Sequence, residues 1–269
     1  MVTLVLPRLV SFEGAGRRSS SIVERNLAAL RSAYWVVMAT GFLEPVMYLF
    51  SIGVGVGRLV GTLPLPDGTV VGYSEFVAPA MLAASAMTGA LSETTFNFFG
   101  KMKFMKLYDG ILATPVRPME IALGELAWAM IRGSIYSAAF LVIMVVMGLT
   151  SAGLAVVAFP AAMLVGFAFG GAGMALSTFM RTWQDFDLMA SAQFALFLFS
   201  GTFVPAQSYP AVLRWVVEIT PLYRSVDLVR GVTTASWSWV QLVDVAYLLA
   251  LIALGLVVAG RRMGTLLCK

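Results

Sequence analysis

The sequence predicts an all-α polytopic membrane protein with six transmembrane helices, and three observations carry that prediction. Between Arg132 and Arg181 the chain runs 48 residues without a charged side chain. That is too long for a buried helix of a soluble domain and suits two crossings of about 20 residues each. Hydrophobic residues make up 59% of the chain and charged residues 12%, against roughly 45–50% and 25% in ordinary soluble domains. The apolar runs are also continuous rather than alternating, which selects helices over a barrel.

The elements follow in order as one transmembrane domain, residues 1–269. Residues 1–32 form an N-terminal segment without a cleavable signal, because Pro7 and Arg8 interrupt its first apolar stretch. Ser21-Ile22-Val23-Glu24 fits a capping box. Val23, Leu27, Leu30 and Tyr34 then share a helical face, with Glu24, Arg25 and Arg31 elsewhere. The segment reads either as an interfacial helix or as a solvated linker. The spans are Ala33–Gly57, Tyr73–Leu91, Ile121–Leu149, Leu154–Phe179, Leu188–Val204 and Val240–Gly260. Thr150-Ser151-Ala152-Gly153 supplies the turn between the third and fourth. A chain of 269 residues holds these spans and short loops but no additional soluble enzyme domain.

Basic residues set the orientation. The N-terminal segment, the segment between spans two and three, the loop between spans four and five, and the tail together hold thirteen Lys and Arg. The other side holds Arg58, Arg214, Arg224 and Arg230. The positive-inside rule therefore places both termini in the cytoplasm.

Two segments are neither span nor ordinary loop. Residues 94–120, on the cytoplasmic side, interleave Lys101, Lys103 and Lys106 with Phe98, Phe99, Phe104, Met105 and Tyr108. The stretch is too polar to cross a membrane and too apolar to float free. It reads as a short helix lying across the cytoplasmic face and offering apolar residues to a partner, or as a basic-aromatic loop adhering to lipid. Residues 205–239, on the external side, read as a pair of short helices dipping back into the outer leaflet. Leu213, Val216 and Val217 share a face there, Pro221 ends the first helix, and Trp215, Trp237 and Trp239 suit the headgroup level.

Individual residues narrow the chemistry. With no His and a single Cys, Cys268, the sequence offers neither an internal disulfide nor a metal site built from His and Cys. Glu44 sits near the middle of span one, where an ionised carboxylate costs about 2.5–3.5 kcal/mol on insertion scales. Beside it Pro45 loosens the helix. Glu44 either lines a path or hinge or forms a structural pair with Arg132 of span three. Glu93 and Glu125 lie at span ends, and Gly166, Gly170, Gly171 and Gly173 read as a close-packing face. Asp185 and Asp187 flank a short turn with Arg181, as boundary charges or as a second partner contact.

Three stretches in order resemble one family. Phe42-Leu43-Glu44-Pro45 with Tyr48-Leu49 and Gly53, Gly55 and Gly57 comes first. Tyr108-Asp109-Gly110-Ile111-Leu112-Ala113-Thr114-Pro115-Val116 comes second. Phe203-Val204-Pro205, then Pro221-Leu222-Tyr223-Arg224 with Arg230, comes third. Together they resemble the permease subunit of ABC-2 type (type V) ABC exporters, in the branch of the nodulation lipo-oligosaccharide and daunorubicin-resistance permeases. The resemblance implies a separate cytoplasmic ATP-binding subunit that carries ATP and Mg, and a second permease, identical or homologous. It also implies a bacterial inner-membrane location and alternating access that moves an amphipathic, lipid-like or drug-like substrate outward. Phe98, Phe99, Lys101, Phe104, Met105 and Tyr108 are then expected at the ATPase contact, and Glu44 and Pro45 on the path or hinge. Pro205, Pro221, Tyr223 and Arg224 are expected at the external gate.

The sequence itself agrees on the division of labour. It contains no G-x-x-x-x-G-K-[ST], so no P-loop cradles nucleotide phosphates. A secondary transporter or channel acting without an ATPase is the alternative; the single deep carboxylate and the lack of an evident internal repeat speak against it. A membrane transferase would need a cluster of acids, bases or metal ligands, and none is apparent.

Overall fold

Ten helices and one small hairpin make up the computed structural model, which describes residues 15–30, 43, 46–47, 49–64 and 68–267. Helix α1 is Ala15–Leu30. A π-helical turn, Ser51–Val56, runs into the short α2, Gly57–Val60. Strands β1, Thr62–Pro64, and β2, Val70–Gly72, pair antiparallel with Leu63 opposite Val71. The all-α expectation fits this predominantly helical chain, to which the described residues add one short hairpin. Its signal was present in the sequence as Asp67-Gly68 followed by β-branched residues, and Gly68 adopts φ +83°.

Helix α3, Tyr73–Ser92, begins with the Gly72 amide donating to Glu75 Oε2 at 3.0 Å. Two π-helical turns, Glu93–Asn97 and Gly100–Phe104, lead to α4, Leu107–Leu112. Helix α5, Pro118–Val146, starts with proline at its first position, where a missing N–H costs nothing. The Arg117 amide donates to Glu120 Oε2 at 2.8 Å and closes that end. Helix α6, Ala152–Ser177, is capped by Ser151 Oγ, which accepts from the Leu154 amide at 3.3 Å. Then come α7, Asp185–Leu198; α8, Ala211–Ile219; α9, Pro221–Thr233; and α10, Trp239–Leu267.

By length and composition, α5, α6 and α10 are long and apolar enough to cross a membrane. They overlap the expected third, fourth and sixth spans, shifted by one to seven residues at either end. Helix α3 matches the expected second span to within one residue. The fifth differs: α7 has 14 residues, about 21 Å at 1.5 Å per residue, against a hydrocarbon core of about 30 Å. It stops at Leu198, and the turn beyond it places Gly201 at φ +70°. Most of the first expected span lies outside the described residues.

The main core gathers α3, α5, α6 and α9, with Phe76, Leu82, Met87, Phe140, Met144 and Leu222 all but fully buried. Glycine sets how closely the helices approach. A Cβ on Gly255 of α10 would collide with the Gly171 backbone of α6. A Cβ on Gly170 would lie 2.6 Å from Leu126 Cδ1, and one on Gly173 would lie 2.6 Å from Thr94 Oγ1. The glycines of α6 therefore serve more than one face, toward α5, α10 and the first π-helical turn.

A second, smaller core lies at the end of the molecule rich in basic residues. It joins Ile22, Phe98, Phe99, Met102, Tyr108, Ile121, Leu126, Met174, Ala259 and Met263. Helix α1 belongs to it, and its packing corrects two expectations. Ser21 sits inside the helix rather than at its cap. The buried residues of its packing face are Ile22 and Asn26, while Leu27 is 60% exposed. The face turns this way because Gly124 opens a slot on α5. A Cβ there would lie 2.8 Å from Ile22 Cβ and 3.0 Å from Ser19 O. Ser19 Oγ also donates to Glu120 O at 3.1 Å.

Candidate functional site

The basic end is a platform with a buried ionic latch beneath and exposed aromatics on top. The latch centres on Glu125, near the start of α5. Its Oε2 accepts from Lys101 Nζ at 2.6 Å and from Asn26 Nδ2 at 3.0 Å, and its Oε1 accepts from Arg25 Nη2 at 3.2 Å. Asn26 Oδ1 in turn accepts from Arg25 Nη2 at 2.6 Å and from Lys101 Nζ at 3.2 Å. Glu125 is 5% exposed. One buried carboxylate thus ties α1, the π-helical turn at Lys101 and α5 together. A buried ion pair holds only when its remaining groups find partners, and here both carboxylate oxygens have them. The Tyr108 hydroxyl is buried in the same region. Burial first, and the Glu125 charge second, push its pKa well above the usual tyrosine value.

This arrangement redistributes the six residues expected at a partner contact. Phe98, Phe99 and Tyr108 are fully buried, with the Phe98 and Tyr108 ring centroids 5.2 Å apart. Lys101 points into the latch. Phe104 and Met105 stand out, 60% and 74% exposed. The inward turn has a local cause. The segment folds back on itself through two π-helical turns and a left-handed Lys106 at φ 47°, so its aromatics fill the space below α1 instead of lining one outer face.

The turn of Arg181, Asp185 and Asp187 completes the top of the platform through a residue that was not among those expected at the partner contact, Trp183. Trp183, in the turn between α6 and α7, stacks on Phe104 with ring centroids 5.0 Å apart and planes at 17°. Phe96 lies 4.6 Å from Trp183, Phe99 lies 5.4 Å from it, and Phe186 lies 5.6 Å from it. Trp183 remains 40% exposed. Asp185 shapes this turn: its Oδ2 accepts from the Arg181 amide at 2.7 Å and the Thr182 amide at 3.1 Å. Those two bonds hold its carboxyl below the usual carboxylate range. A tryptophan in a short turn among Arg181, Asp185 and Asp187 was the available signal, since an aromatic in a polar loop marks a contact.

Glu44 and Pro45 lie outside the described residues. The suggested pairing of Glu44 with Arg132 therefore also lies outside the described residues; among those described, the Arg132 guanidinium pairs with Glu93, and its Nη2 donates to the Tyr136 hydroxyl at 3.1 Å. Asn97 Nδ2 supports the same Glu93 from the side at 2.9 Å.

At the opposite end, α8 and α9 form the expected pair of short helices. Val217 is the buried residue of α8, while Val216 and Trp215 are exposed. Pro205 precedes a single 3₁₀ turn, Ala206–Ser208. Pro221 starts α9, whose Thr220 cap accepts from the Tyr223 amide at 3.3 Å. Tyr223 packs against Gly201, and Arg224 Nη1 donates to the buried Asp244 of α10 at 3.1 Å. Arg230 is buried and fastens three elements. Its Nε and Nη2 donate to Phe76 O at 3.3 and 3.2 Å, its Nη2 donates to Gly201 O at 2.9 Å, and its guanidinium lies 3.8 Å from the Phe76 ring centroid. The arginine of the third motif is thus a clamp on main-chain carbonyls.

These features define a polytopic helical membrane protein with a built platform at its basic end. The profile of the family described as ABC-2 type transporter matches residues 20–233, and the chain belongs to that family. It is similar to nodulation protein J of Rhizobium leguminosarum bv. trifolii, 32% identical over 213 residues, which cover 79% of each chain. Nodulation protein J of Rhizobium leguminosarum bv. viciae is 30% identical over 211 residues, covering 78% of this chain and 80% of that one. The protein of the same name from Rhizobium meliloti (strain 1021) is 30% identical over 217 residues, covering 80% and 81%. The matched region includes α1 from Ser20 onward, the platform and the Arg230 clamp.

Proposed function

We propose that this chain is the permease subunit of an ATP-driven exporter, moved by a separate ATP-binding subunit seated on the platform. One observation carries the reading: Phe104, Met105 and Trp183 present an exposed aromatic surface on a base locked by Glu125, in a chain that lacks a P-loop. Large exposed aromatics on a rigid base mark a protein contact. Phe98, Phe99 and Tyr108 support the surface from beneath, and Lys103 and Lys106 rim it.

ATP and Mg belong to the partner. Their energy acts here only by favouring one arrangement of the helices over another. The latch makes α1 and the start of α5 move with the platform, so a push at Phe104 reaches a membrane-crossing helix directly. The working unit contains two permeases, with six spans each, in the bacterial inner membrane, and both termini are cytoplasmic. The substrate is amphipathic, lipid-like or drug-like, and it leaves outward past the helices around Tyr223 and Arg224. Glu44 and Pro45 belong to the path or its hinge.

Co-expression with the ATP-binding subunit encoded beside it, purification in detergent and assay of vanadate-sensitive ATP hydrolysis tests the reading. The proposal expects a stable complex with activity. Transport by the chain alone, with no co-purifying ATPase, overturns it in favour of a secondary transporter or channel.

A further inference from the structure

An open groove of about 340 Å³ runs between α1 and α4, lined by Ser21, Ile22, Arg25, Leu107, Ile111 and Val116, with Gly110 and Thr114 at its edge. Its volume falls within the range of small-ligand sites. Three of its properties bear on what fills it.

The lining is mostly apolar, so the occupant brings a hydrocarbon surface. Within the latch beside it, Arg25 and Lys101 share the single carboxylate of Glu125, so those three side chains together carry one net positive charge. Arg25 Nη1 is buried with no hydrogen-bond partner among the described residues, a costly state for a charged donor. The third property is depth. Helix α1 lies along the first turns of the membrane-crossing α5, with Ser19 on Glu120, Ile22 on Gly124 and Asn26 on Glu125. That is the level at which a crossing helix leaves the hydrocarbon and headgroups begin.

We infer that this groove binds an anionic phospholipid, with an acyl chain along Ile22, Leu107, Ile111 and Val116 and the phosphate at the Arg25 end. The bound lipid bridges α1 to α4 and becomes part of the platform. An anionic headgroup is selected because the Arg25–Lys101–Glu125 latch at that end carries one net positive charge; a soluble anion leaves the apolar wall uncovered.

The test uses the full chain in nanodiscs of phosphatidylcholine with a trace of photoactivatable phosphatidylglycerol carrying the label on its acyl chain. The expected result is labelling within residues 107–116, competed by unlabelled phosphatidylglycerol about fivefold better than by phosphatidylcholine, the preference that one uncompensated cation gives at an anionic surface. Ile111→Trp, which fills the groove, abolishes the labelling while hydrogen exchange of α1 stays as in the unmodified chain. If that variant loses the protection of α1, the competition in the unmodified chain decides alone. Equal competition by the two lipids overturns the inference, as does an absence of labelling. Competition by inorganic phosphate as strong as that by phosphatidylglycerol also overturns it, because the site is then a phosphate site and not a lipid site. Loss of the label on addition of the ATP-binding subunit overturns it in favour of a polypeptide occupant. None of these outcomes bears on whether the subunit docks at Phe104 and Trp183.

Discussion

Replacing Glu125 with Gln removes the charge that holds the platform together while keeping its shape. Two cations, Arg25 and Lys101, then face an amide that accepts but carries no charge. Breaking one partner of a buried ion pair costs about 3–5 kcal/mol. Arg25 is about one-third exposed and regains some hydration, so the lower end, about 3 kcal/mol, is the reasonable figure. At 1.36 kcal/mol per tenfold, that is roughly a 150-fold rise in the local opening of α1. Hydrogen exchange of the amides in Ala15–Leu30, with the chain in nanodiscs, reads this directly. The loss is confined to α1 and the Lys101 turn, because α10 is held separately by its contact at Gly171 and Gly255. Lys101→Met in the Glu125→Gln background restores part of the protection, since it removes one of the two stranded cations. Unchanged exchange in α1 would falsify the latch, and equal loss in α10 would show global unfolding instead.

Other outcomes follow from the same geometry. Met105→Ala and Phe104→Ala truncate side chains that are 74% and 60% exposed, so thermal stability falls by no more than about 1 kcal/mol, while co-purification of the ATP-binding subunit falls at least tenfold in a pull-down. Gly255→Leu drives a side chain into the backbone of α6, and size-exclusion chromatography of the detergent-solubilised chain should show loss of the monodisperse protein. Arg230→Met leaves the carbonyls of Phe76 and Gly201 without their donor and lowers the melting temperature, whereas Arg230→Lys recovers only part of it because one ammonium cannot span both. Asp185 has a folded pKa below its ordinary value, so its support of the Trp183 turn is present above that value and fades as pH falls below about 4. Trp183 fluorescence in a variant lacking the other tryptophans follows this, and Asp185→Asn removes the pH dependence.

Much of the architecture was legible because membrane helices must satisfy their backbone within one apolar run. The 48-residue uncharged stretch therefore gave α5 and α6 with their turn nearly to the residue. The C-terminal end of α7 was hard to read, since Phe199, Phe203 and Val204 continue its apolar run and only Ser200-Gly201-Thr202, with Gly201 at positive φ, marks the change. The β-hairpin has a signal in the sequence pair Asp67-Gly68 before Val70 and Val71. The platform was legible as a segment but not as a surface. Alternating Lys and Phe says that a stretch is amphipathic; it does not say that two π-helical turns will point Phe98 and Phe99 inward. The Glu125 latch was hidden because Arg25 and Asn26 stand 100 and 99 residues from Glu125 and Lys101 stands 24 from it, and a lone glutamate at a helix start reads as a boundary charge. Arg132 shows the same limit, since the sequence marked its need for an acid without pointing to Glu93, 39 residues away.

Site-specific crosslinking at the platform tests the central claim most directly. Cys268 is the single cysteine, so a Cys268→Ser background takes new thiols at Phe104, Met105 and Trp183, with Tyr108 and Trp237 as comparisons. In membranes holding the co-expressed ATP-binding subunit, a short bifunctional maleimide should join that subunit to positions 104, 105 and 183 and leave 108 and 237 unjoined. Crosslinks from none of the three platform positions, or from 237 as strongly as from 105, contradict the account.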